Sequence, residues 1–406
     1  MSLLVQRGRL ALHLRRDGSL SYSLLIAVAW VIGLRLFLAV YMAAVTCYVQ
    51  RPDLQQHYAP VGVPLLDSGL ERLFLGVWQR EDALWYQKIA TLGYTEGDMT
   101  TQFFPLYPLL ERAVSLVTGL HPIAAGLVIS DVALLVALFF LHRLLLPRFG
   151  SGVANRTLAY LSLFPTAFFL HGPFTESLAL ALAVLGFYLV ERRVWLGAVA
   201  VAYLAGLERP QGVLIGIPLA IHWLAEGVKL GEWRRLKPDR RGLLRGLGLA
   251  LASVAGAATF FALVNTPWRE LGASATAGPM TTQRLSVPGT DLLLAAQRIL
   301  SGTAYQVDGF SFLLALLFLA LTVVGFARLE MGYALYSLLF LLAPLARASL
   351  SMPLMSFPRY ALLLFPCFTV LAISVRRGRL HLAIIFWSIL LMVYWSAVFT
   401  YGQFVS

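Results

Sequence analysis

The chain has 406 residues, of which 59% are hydrophobic and 13% charged, and its mean hydropathy is +0.76. A soluble domain carries roughly 25% charged residues, so this composition excludes a soluble globular protein and predicts an integral membrane protein. The net charge of +12 does not indicate a nucleic-acid-binding protein, because the basic residues lie in short loops between apolar segments, where they orient helices.

A helix that crosses a membrane needs about 20 mostly apolar residues. The sequence predicts eleven such segments, which in chain order are 22–48, 123–146, 153–170, 174–190, 194–208, 210–226, 243–265, 309–327, 332–349, 360–375 and 380–400. The expected fold is therefore all-α, a polytopic transmembrane helix bundle of about 11 spans, with a single domain over residues 1–406.

The distribution of charge predicts the orientation of these segments. With the N-terminus inside, the inner loops contain most of the 32 Lys and Arg residues, and the loop 226–245 is the most basic of them. Most of the 20 Asp and Glu residues fall in outer loops. This asymmetry follows the positive-inside rule and predicts a multi-pass protein of the plasma membrane, with a cytoplasmic N-terminus and an outer C-terminus.

Two long loops, 49–122 and 267–308, lie on the predicted outer side. Within the first loop, segment 103–119 is apolar enough to suggest a further span, but it contains two prolines and two charged residues. If this segment crossed, the basic loop 226–245 would be forced outside, against the positive-inside rule. We therefore expect 103–119 to be a helix that lies on the outer membrane surface or dips into it.

The first outer loop also brings acidic and aromatic residues together. They are Arg80, Glu81, Asp82, Trp85, Tyr86 and Tyr94. A sugar site needs carboxylates that bind or deprotonate hydroxyl groups and aromatic rings that stack on the apolar face of a sugar. A solvated loop with interfacial aromatic residues would show the same composition, so both interpretations remain open on these residues alone.

Charged residues also occur in short outer turns between apolar segments, at Glu176, at Arg209 followed by Gln211, and at Arg359. Charges at the edge of an apolar bundle are costly and are therefore candidates for function. An arginine there suits a lipid phosphate, since its guanidinium forms bidentate contacts, although snorkelling to headgroups is the alternative. Glu176 begins a predicted helix, where a carboxylate could equally serve as a cap.

Five segments of the sequence occur in the order seen in bacterial proteins similar to GPI mannosyltransferase II: REDALWYQKIATLGY, QFFPLYPLL, SLFPTAFFLHGPFTESL, LERPQG and SFPRY. The chain thereby resembles the GT-C class of membrane glycosyltransferases over residues 70–215 and, more loosely, 355–370. It departs from the family pattern at two positions. Glu81 replaces the tryptophan of an Arg-Trp-Asp motif, and Glu208 precedes the Arg-Pro turn where a smaller polar residue is usual.

The resemblance implies a GT-C-like fold and an inverting transfer of a sugar, with mannose expected, from a polyprenyl-phosphate-linked donor to a hydroxyl acceptor on the outer face. Asp82 would be the general base, with Glu81 as the second candidate. The remaining residues would bind substrates: Arg209, Arg359 and Arg80 the donor phosphate, and Trp85, Tyr86, Tyr94, Glu176 and Gln211 the sugar or acceptor.

The expected partners are the polyprenyl-phosphate sugar donor, a lipid or glycan acceptor and membrane lipids, with no nucleic acid. No cofactor is required by these residues, although a divalent metal would be compatible with them. A lipid or sugar transporter, or flippase, without chemistry is the main alternative. It would favour ionisable residues through the midplane, where the sequence offers only Arg35 and Asp131, for which we expect a structural ion pair. A non-catalytic scaffold subunit is a third class.

Overall fold

The computed structural model describes residues 20–48, 61–94, 98–225, 239–264, 283–349 and 352–405. The N-terminal basic residues, most of the loop 226–245 and the first part of the loop 267–308 lie outside the described residues. The α-helices are α1 (Leu20–Tyr48), α2 (Gly69–Phe74), α3 (Asp82–Leu92), α4 (Leu106–Thr118), α5 (Pro122–Ser162), α6 (Glu176–Glu191), α7 (Trp195–Glu208), α8 (Gly216–Leu224), α9 (Arg240–Val264), α10 (Thr290–Leu300), α11 (Gln306–Arg328), α12 (Met331–Leu345), α13 (Phe357–Ala361), α14 (Phe365–Ser374) and α15 (Gly378–Tyr401).

Short 3-10 helices cover Gly76–Trp78, Met99–Gln102, Ala167–Leu170 and Pro210–Ile215. Two three-residue strands, β1 (Gln283–Leu285) and β2 (Arg347–Ser349), pair antiparallel, with Arg284 opposite Ala348. The all-α expectation therefore holds for the bundle, and the β1–β2 ladder is a small addition that ties the segment before α10 to the residues after α12.

The described residues form a helical membrane protein, as the composition predicts. Five of their helices are long and apolar enough to cross a membrane: α1, α5, α9, α11 and α15. Four shorter apolar helical segments lie at Trp195–Glu208, Pro210–Leu224, Met331–Leu345 and Phe365–Ser374. All four overlap predicted spans, but each is shorter than the about 20 residues that a straight crossing needs.

The predicted span 153–170 differs from the structure. Helix α5 runs through Gly150, where φ is 77° and the helix kinks, and ends at Ser162. Pro165 explains this end, because a proline lacks the N–H that would continue the helix and disfavours helical geometry in the residue before it. The chain then forms a turn and a 3-10 helix, and every residue from 157 to 177 is buried.

The predicted spans 332–349 and 360–375 also have different limits. Helix α12 ends at Leu345, and the next residues form β2. Before α14 the chain forms the short helix α13, and Asp291 of α10 holds the segment that precedes this helix. The Asp291 carboxylate accepts hydrogen bonds from the N–H groups of Ser349 (2.9 Å) and Leu354 (3.0 Å). Helix α10 thus holds the end of β2 and Leu354, just before the helix that carries Arg359.

Helix α4 corresponds to the predicted surface segment 103–119. It has 13 residues, which span about 20 Å at 1.5 Å per residue, less than the roughly 30 Å of a hydrocarbon core. One face packs on α5 through the buried residues Tyr107 and Glu111, whereas Leu116 and Val117 are exposed. An exposed apolar face on a short helix suits a membrane surface, although its side of the membrane stays a prediction.

Candidate active site

Glu81 and Asp82 lie at the start of α3, after a turn that the Gln79 side chain fixes. The Gln79 amide donates hydrogen bonds to the Pro64 carbonyl (3.0 Å) and to Oε1 of Gln87 (2.9 Å). Glu81 has φ 47° and ψ −130°, a conformation that costs a residue with a side chain on the order of 1–3 kcal/mol. Asp82 is the first residue of α3, where a carboxylate complements the helix dipole.

Glu176 begins α6, directly after the buried turn that follows α5. Its backbone position is set by neighbours on both sides: the Ser130 hydroxyl donates to the Phe174 carbonyl (3.3 Å), and the Ser177 hydroxyl donates to the Leu170 carbonyl (2.5 Å). The Glu176 side chain is 1% exposed. A charged group buried to this extent requires oppositely charged partners.

Arg209 follows the last residue of α7 and precedes Pro210. A proline pushes the residue before it into extended geometry, and Arg209 has φ −161° and ψ 160°. This break ends α7 and separates it from the 3-10 helix Pro210–Ile215. Arg209 therefore lies at the junction between α7 and this 3-10 helix.

Arg359 lies in α13, where the Thr166 hydroxyl holds the chain by donating to the Pro358 carbonyl at 2.8 Å. Ser356, just before this helix, has φ 63°. The turn thus occupies a backbone region that favours glycine, and the contacts of its neighbours hold it there. Arg359 itself is 5% exposed.

Arg359 joins acids from two distant parts of the chain. Its Nε and Nη2 atoms lie 3.0 and 2.9 Å from the same oxygen, Oε1 of Glu176. On its other side, Nη1 lies 2.8 Å from Oδ2 of Asp82 and 3.5 Å from Oε2 of Glu81. All three guanidinium nitrogens therefore contact carboxylates.

Arg209 contacts the same Glu176 oxygen from another direction. Its Nη2 lies 3.3 Å from Oε1 of Glu176 and donates a hydrogen bond to the Thr175 hydroxyl. Its Nε lies 3.3 Å from Oε2 of Glu208. Among the described residues, no hydrogen-bond acceptor contacts Arg209 Nη1, which is buried.

These side chains form one group, which we call the charged cluster: Glu81, Asp82, Glu176, Glu208, Arg209 and Arg359. It contains four carboxyl groups and two guanidinium groups. Asp82 is the most accessible of the four carboxylates. Its side chain is 21% exposed, against 7% for Glu81 and 1% for both Glu176 and Glu208. A substrate hydroxyl would therefore reach Asp82 more readily than the other acids.

Aromatic rings lie next to Arg359 in the charged cluster. The Arg359 guanidinium lies 4.9 Å from the ring centroids of both Phe169 and Phe174. Burial, together with the carboxylates of Asp82 and Glu176, raises the pKa of the Tyr86 phenol well above its usual value. Tyr86 therefore stays protonated and is available as a hydrogen-bond donor beside the cluster.

Three of the predicted site residues lie apart from these contacts. Arg80 donates hydrogen bonds to the backbone carbonyls of Val77 (3.1 Å) and Thr400 (2.9 Å), which attaches the turn before α3 to the end of α15. Trp85 stacks on Phe103 with ring centroids 6.0 Å apart. The Tyr94 hydroxyl donates to the Phe103 carbonyl at 2.8 Å, and burial raises its pKa.

Gln211 is 7% exposed and lies in the 3-10 helix after Arg209. The predicted site did not include Thr175, Phe169 or Glu208. In the sequence, Glu208 is a departure from the family pattern. A carboxyl at the end of an otherwise apolar segment is itself the signal that could have assigned it to the site.

A second polar group contains the predicted ion pair of Arg35 and Asp131, which the structure confirms with an Nε–Oδ2 distance of 2.6 Å. His171 joins it, with Nδ1 at 2.9 Å from Oδ1 of Asp131. These contacts tie α1, α5 and the buried turn together, and the turn leads directly to Glu176. The pair therefore holds the turn that precedes Glu176 of the charged cluster.

In the part of the chain that the structure describes, no group of three or more His, Cys, Asp or Glu side chains could hold a metal ion. Comparison of the chain with models of known protein families and with curated proteins gave no match.

Proposed function

We propose that this chain is a GT-C-class membrane glycosyltransferase that moves a sugar, with mannose expected, from a polyprenyl-phosphate donor to a hydroxyl of a lipid or glycan acceptor at the outer face. The observation that carries the proposal is the position of Arg359 between Asp82 and Glu176. Residues from the segments that resemble the glycosyltransferase family meet in this one cluster.

The proposed reaction needs a base for the acceptor hydroxyl. Asp82 suits this role because it is the most accessible carboxylate of the charged cluster, and its Oδ2 atom lies 2.8 Å from Nη1 of Arg359. It would accept the hydroxyl proton while the acceptor oxygen attacks the anomeric carbon of the donor. The bond between that carbon and the phosphate oxygen breaks on the opposite face, so the configuration inverts. Glu81, at 3.5 Å from Arg359, remains the second candidate.

The leaving group of this reaction is a lipid phosphate, and its charge develops as the bond breaks. Arg209 is the better placed of the two cluster arginines to stabilise it, because no described residue accepts a hydrogen bond from its buried Nη1. Arg359 contacts carboxylates through all three nitrogens. Its direct contact with phosphate stays a prediction, and we assign it the role of fixing Asp82 beside Glu176.

The proposed membrane arrangement has eleven crossings, a cytoplasmic N-terminus and an outer C-terminus. The five long helices supply five of them. The remainder would be formed by the segment after the Gly150 kink and by the shorter helices, extended by the turns that carry Glu176, Arg209 and Arg359. Those turns would lie on the outer side, together with α3 and α4.

Transfer of labelled sugar by the purified protein tests this function. The protein would be placed in lipid nanodiscs with polyprenyl-phosphate mannose labelled in the sugar and with extracted membrane lipids as acceptors. We expect label in a new lipid or glycan and release of polyprenyl phosphate. A transporter would move the intact donor across a vesicle membrane, leaving its sugar–phosphate bond unbroken, and that result would contradict the proposal.

A further inference from the structure

Glu208 has no role in the proposed reaction, although it is deeply buried within the charged cluster. Its side chain is 1% exposed, and Oε2 lies 3.3 Å from Nε of Arg209. The Thr175 hydroxyl lies beside the same carboxyl group. The other oxygen, Oε1, is buried, and none of the described residues forms a hydrogen bond with it.

Two carboxyl groups thus share one arginine. Glu176 lies 3.3 Å from Nη2 of Arg209, and Glu208 lies 3.3 Å from Nε. Glu176 also has the two contacts of Arg359 to compensate its charge. Among the described residues, Arg209 is the charged group that contacts the Glu208 carboxyl, and burial of an ionised carboxylate with an unsatisfied oxygen is strongly unfavourable.

In the described part of the chain, phenol groups also face this pair. Tyr336 of α12 faces Glu208, and Tyr86 and Tyr360 face Arg209. Phenols are neutral at physiological pH. If all members were ionised, the four acids and two arginines of the charged cluster would carry a net charge of two negative units. Protonation of Glu208 lowers this excess to one negative unit and removes a carboxylate charge 3.3 Å from Nε of Arg209.

We propose that Glu208 is held as a neutral carboxylic acid, and that its proton removes one of the two carboxylate charges that contact Arg209, which makes the guanidinium available to an anionic group of the substrate. This inference rests on the proposed function, because it assigns Arg209 to a lipid phosphate. With Glu208 neutral, Glu176 is shared between two guanidinium groups, and Arg209 is only partly compensated. Ionised Glu208 would complete that compensation and would lower the affinity for an anion. Glu208 therefore acts through Arg209, because its protonation state sets the charge beside the proposed phosphate site.

Infrared spectroscopy of the purified protein tests the protonation directly, without any need for activity. A protonated carboxyl has its own carbonyl stretching band, distinct from that of a carboxylate. We expect such a band in the wild-type protein at neutral pH, reduced in Glu208→Gln and kept in Glu176→Gln. Glu111→Gln identifies the contribution of the other buried carboxyl. If Glu208→Gln does not fold, Glu208→Asp replaces it, and its band should shift in frequency. A wild-type spectrum without a Glu208 band would overturn the inference.

The second measurement follows the affinity for a short-chain polyprenyl phosphate while the pH is raised above neutral. The second pKa of a phosphate monoester is about 6, so the charge of this probe stays nearly constant over the series. We expect the wild-type affinity to fall by about tenfold or more as the Glu208 band disappears, whereas Glu208→Gln should show no such fall.

If the band persists over the whole series, the affinity must persist with it. A fall in affinity without loss of the band, or an equal fall in Glu208→Gln, would contradict the role assigned to this proton. A protein with the Glu208 band that binds no polyprenyl phosphate at neutral pH would contradict the proposed donor instead, and with it the link to Arg209, while the protonation of Glu208 would stand.

Discussion

Arg359 and Glu176 form a buried ion pair across 183 positions of sequence, in which Nε and Nη2 of the arginine both contact Oε1 of the glutamate, at 3.0 and 2.9 Å. Both side chains are nearly inaccessible to solvent. Because Nη1 of the same guanidinium contacts Asp82, the pair fixes the proposed base relative to the start of α6. The planar fork of arginine makes this bridge possible.

Replacement of Arg359 by lysine should break this bridge while keeping the positive charge. A single ammonium group cannot reproduce three contacts directed to Glu176 and Asp82. We expect sugar transfer to slow by at least about tenfold, which corresponds to roughly 1.4 kcal/mol of barrier, while donor affinity changes by several-fold at most. Turnover and donor binding are measured on the same preparation. The exposed Arg112→Lys serves as the control, and an unchanged turnover in Arg359→Lys would remove Arg359 from the site.

Glu111 provides a pH-dependent test of the packing of α4 on α5. Its carboxyl is fully buried, none of the described residues forms a hydrogen bond with it, and burial raises its pKa well above the usual value. Between the pKa of the unfolded chain, about 4.3, and the higher folded value, the folded state binds more protons. Stability therefore falls as pH rises through this interval, by up to about 1.4 kcal/mol per pH unit.

Glu111→Gln removes this titration and keeps a neutral side chain of similar shape. We expect its melting temperature to exceed that of the wild type by an amount that grows from mildly acidic to neutral pH. Glu71→Gln, at an exposed carboxyl, should show no such trend. A difference between Glu111→Gln and the wild type that is independent of pH would mean that Glu111 is already ionised in the folded protein.

Helices α7 and α9 pack closely because Gly256 lacks a side chain. A Cβ atom at this position would lie 2.0 Å from the Tyr203 carbonyl oxygen. We expect Gly256→Ala to destabilise the bundle by about 1–3 kcal/mol, seen as a lower melting temperature in detergent. Gly33→Ala is the matched control, since nothing lies within 4 Å of its added Cβ. Equal melting temperatures for the two variants would contradict this helix contact.

The orientation can be tested with cysteines introduced at Arg241 and Ser301, after replacement of the exposed Cys47 by serine. Arg241 lies in α9, in the predicted inner loop 226–245, and Ser301 follows α10 in the predicted outer loop 267–308. A membrane-impermeant thiol reagent should label Ser301→Cys in intact cells and Arg241→Cys only after permeabilisation. Labelling of Arg241→Cys from outside would reverse the proposed topology.

Hydropathy predicted the helices well where an apolar segment is uninterrupted. The predicted span 22–48 corresponds to Leu20–Tyr48, and 380–400 to Gly378–Tyr401. The predictions differed where a proline ends a helix inside an apolar segment, as at Pro165. There the chain stays buried without staying helical, and hydropathy does not distinguish the two.

The site was predictable as a set of residues but not as a set of contacts. Orientation placed Asp82, Arg209 and Arg359 on one side, and the structure brings them into one cluster. The sequence could not show that Glu176 would form an ion pair with Arg359, a residue for which the resemblance predicts a phosphate contact. It likewise could not show that the guanidinium of Arg80 would contact backbone carbonyls, because these pairings depend on tertiary packing between distant segments.

The measurement that most directly tests the central claim is sugar transfer by Asp82→Asn, compared with wild-type protein, on labelled polyprenyl-phosphate mannose. Asparagine has nearly the same shape as aspartate but cannot take the proton of an acceptor hydroxyl. Loss of a general base typically slows a reaction by about 10²–10⁴, so we expect transfer to fall by that factor while the donor still binds. Transfer at the wild-type rate by Asp82→Asn, or no transfer by the wild-type protein although it binds the donor, would contradict the account.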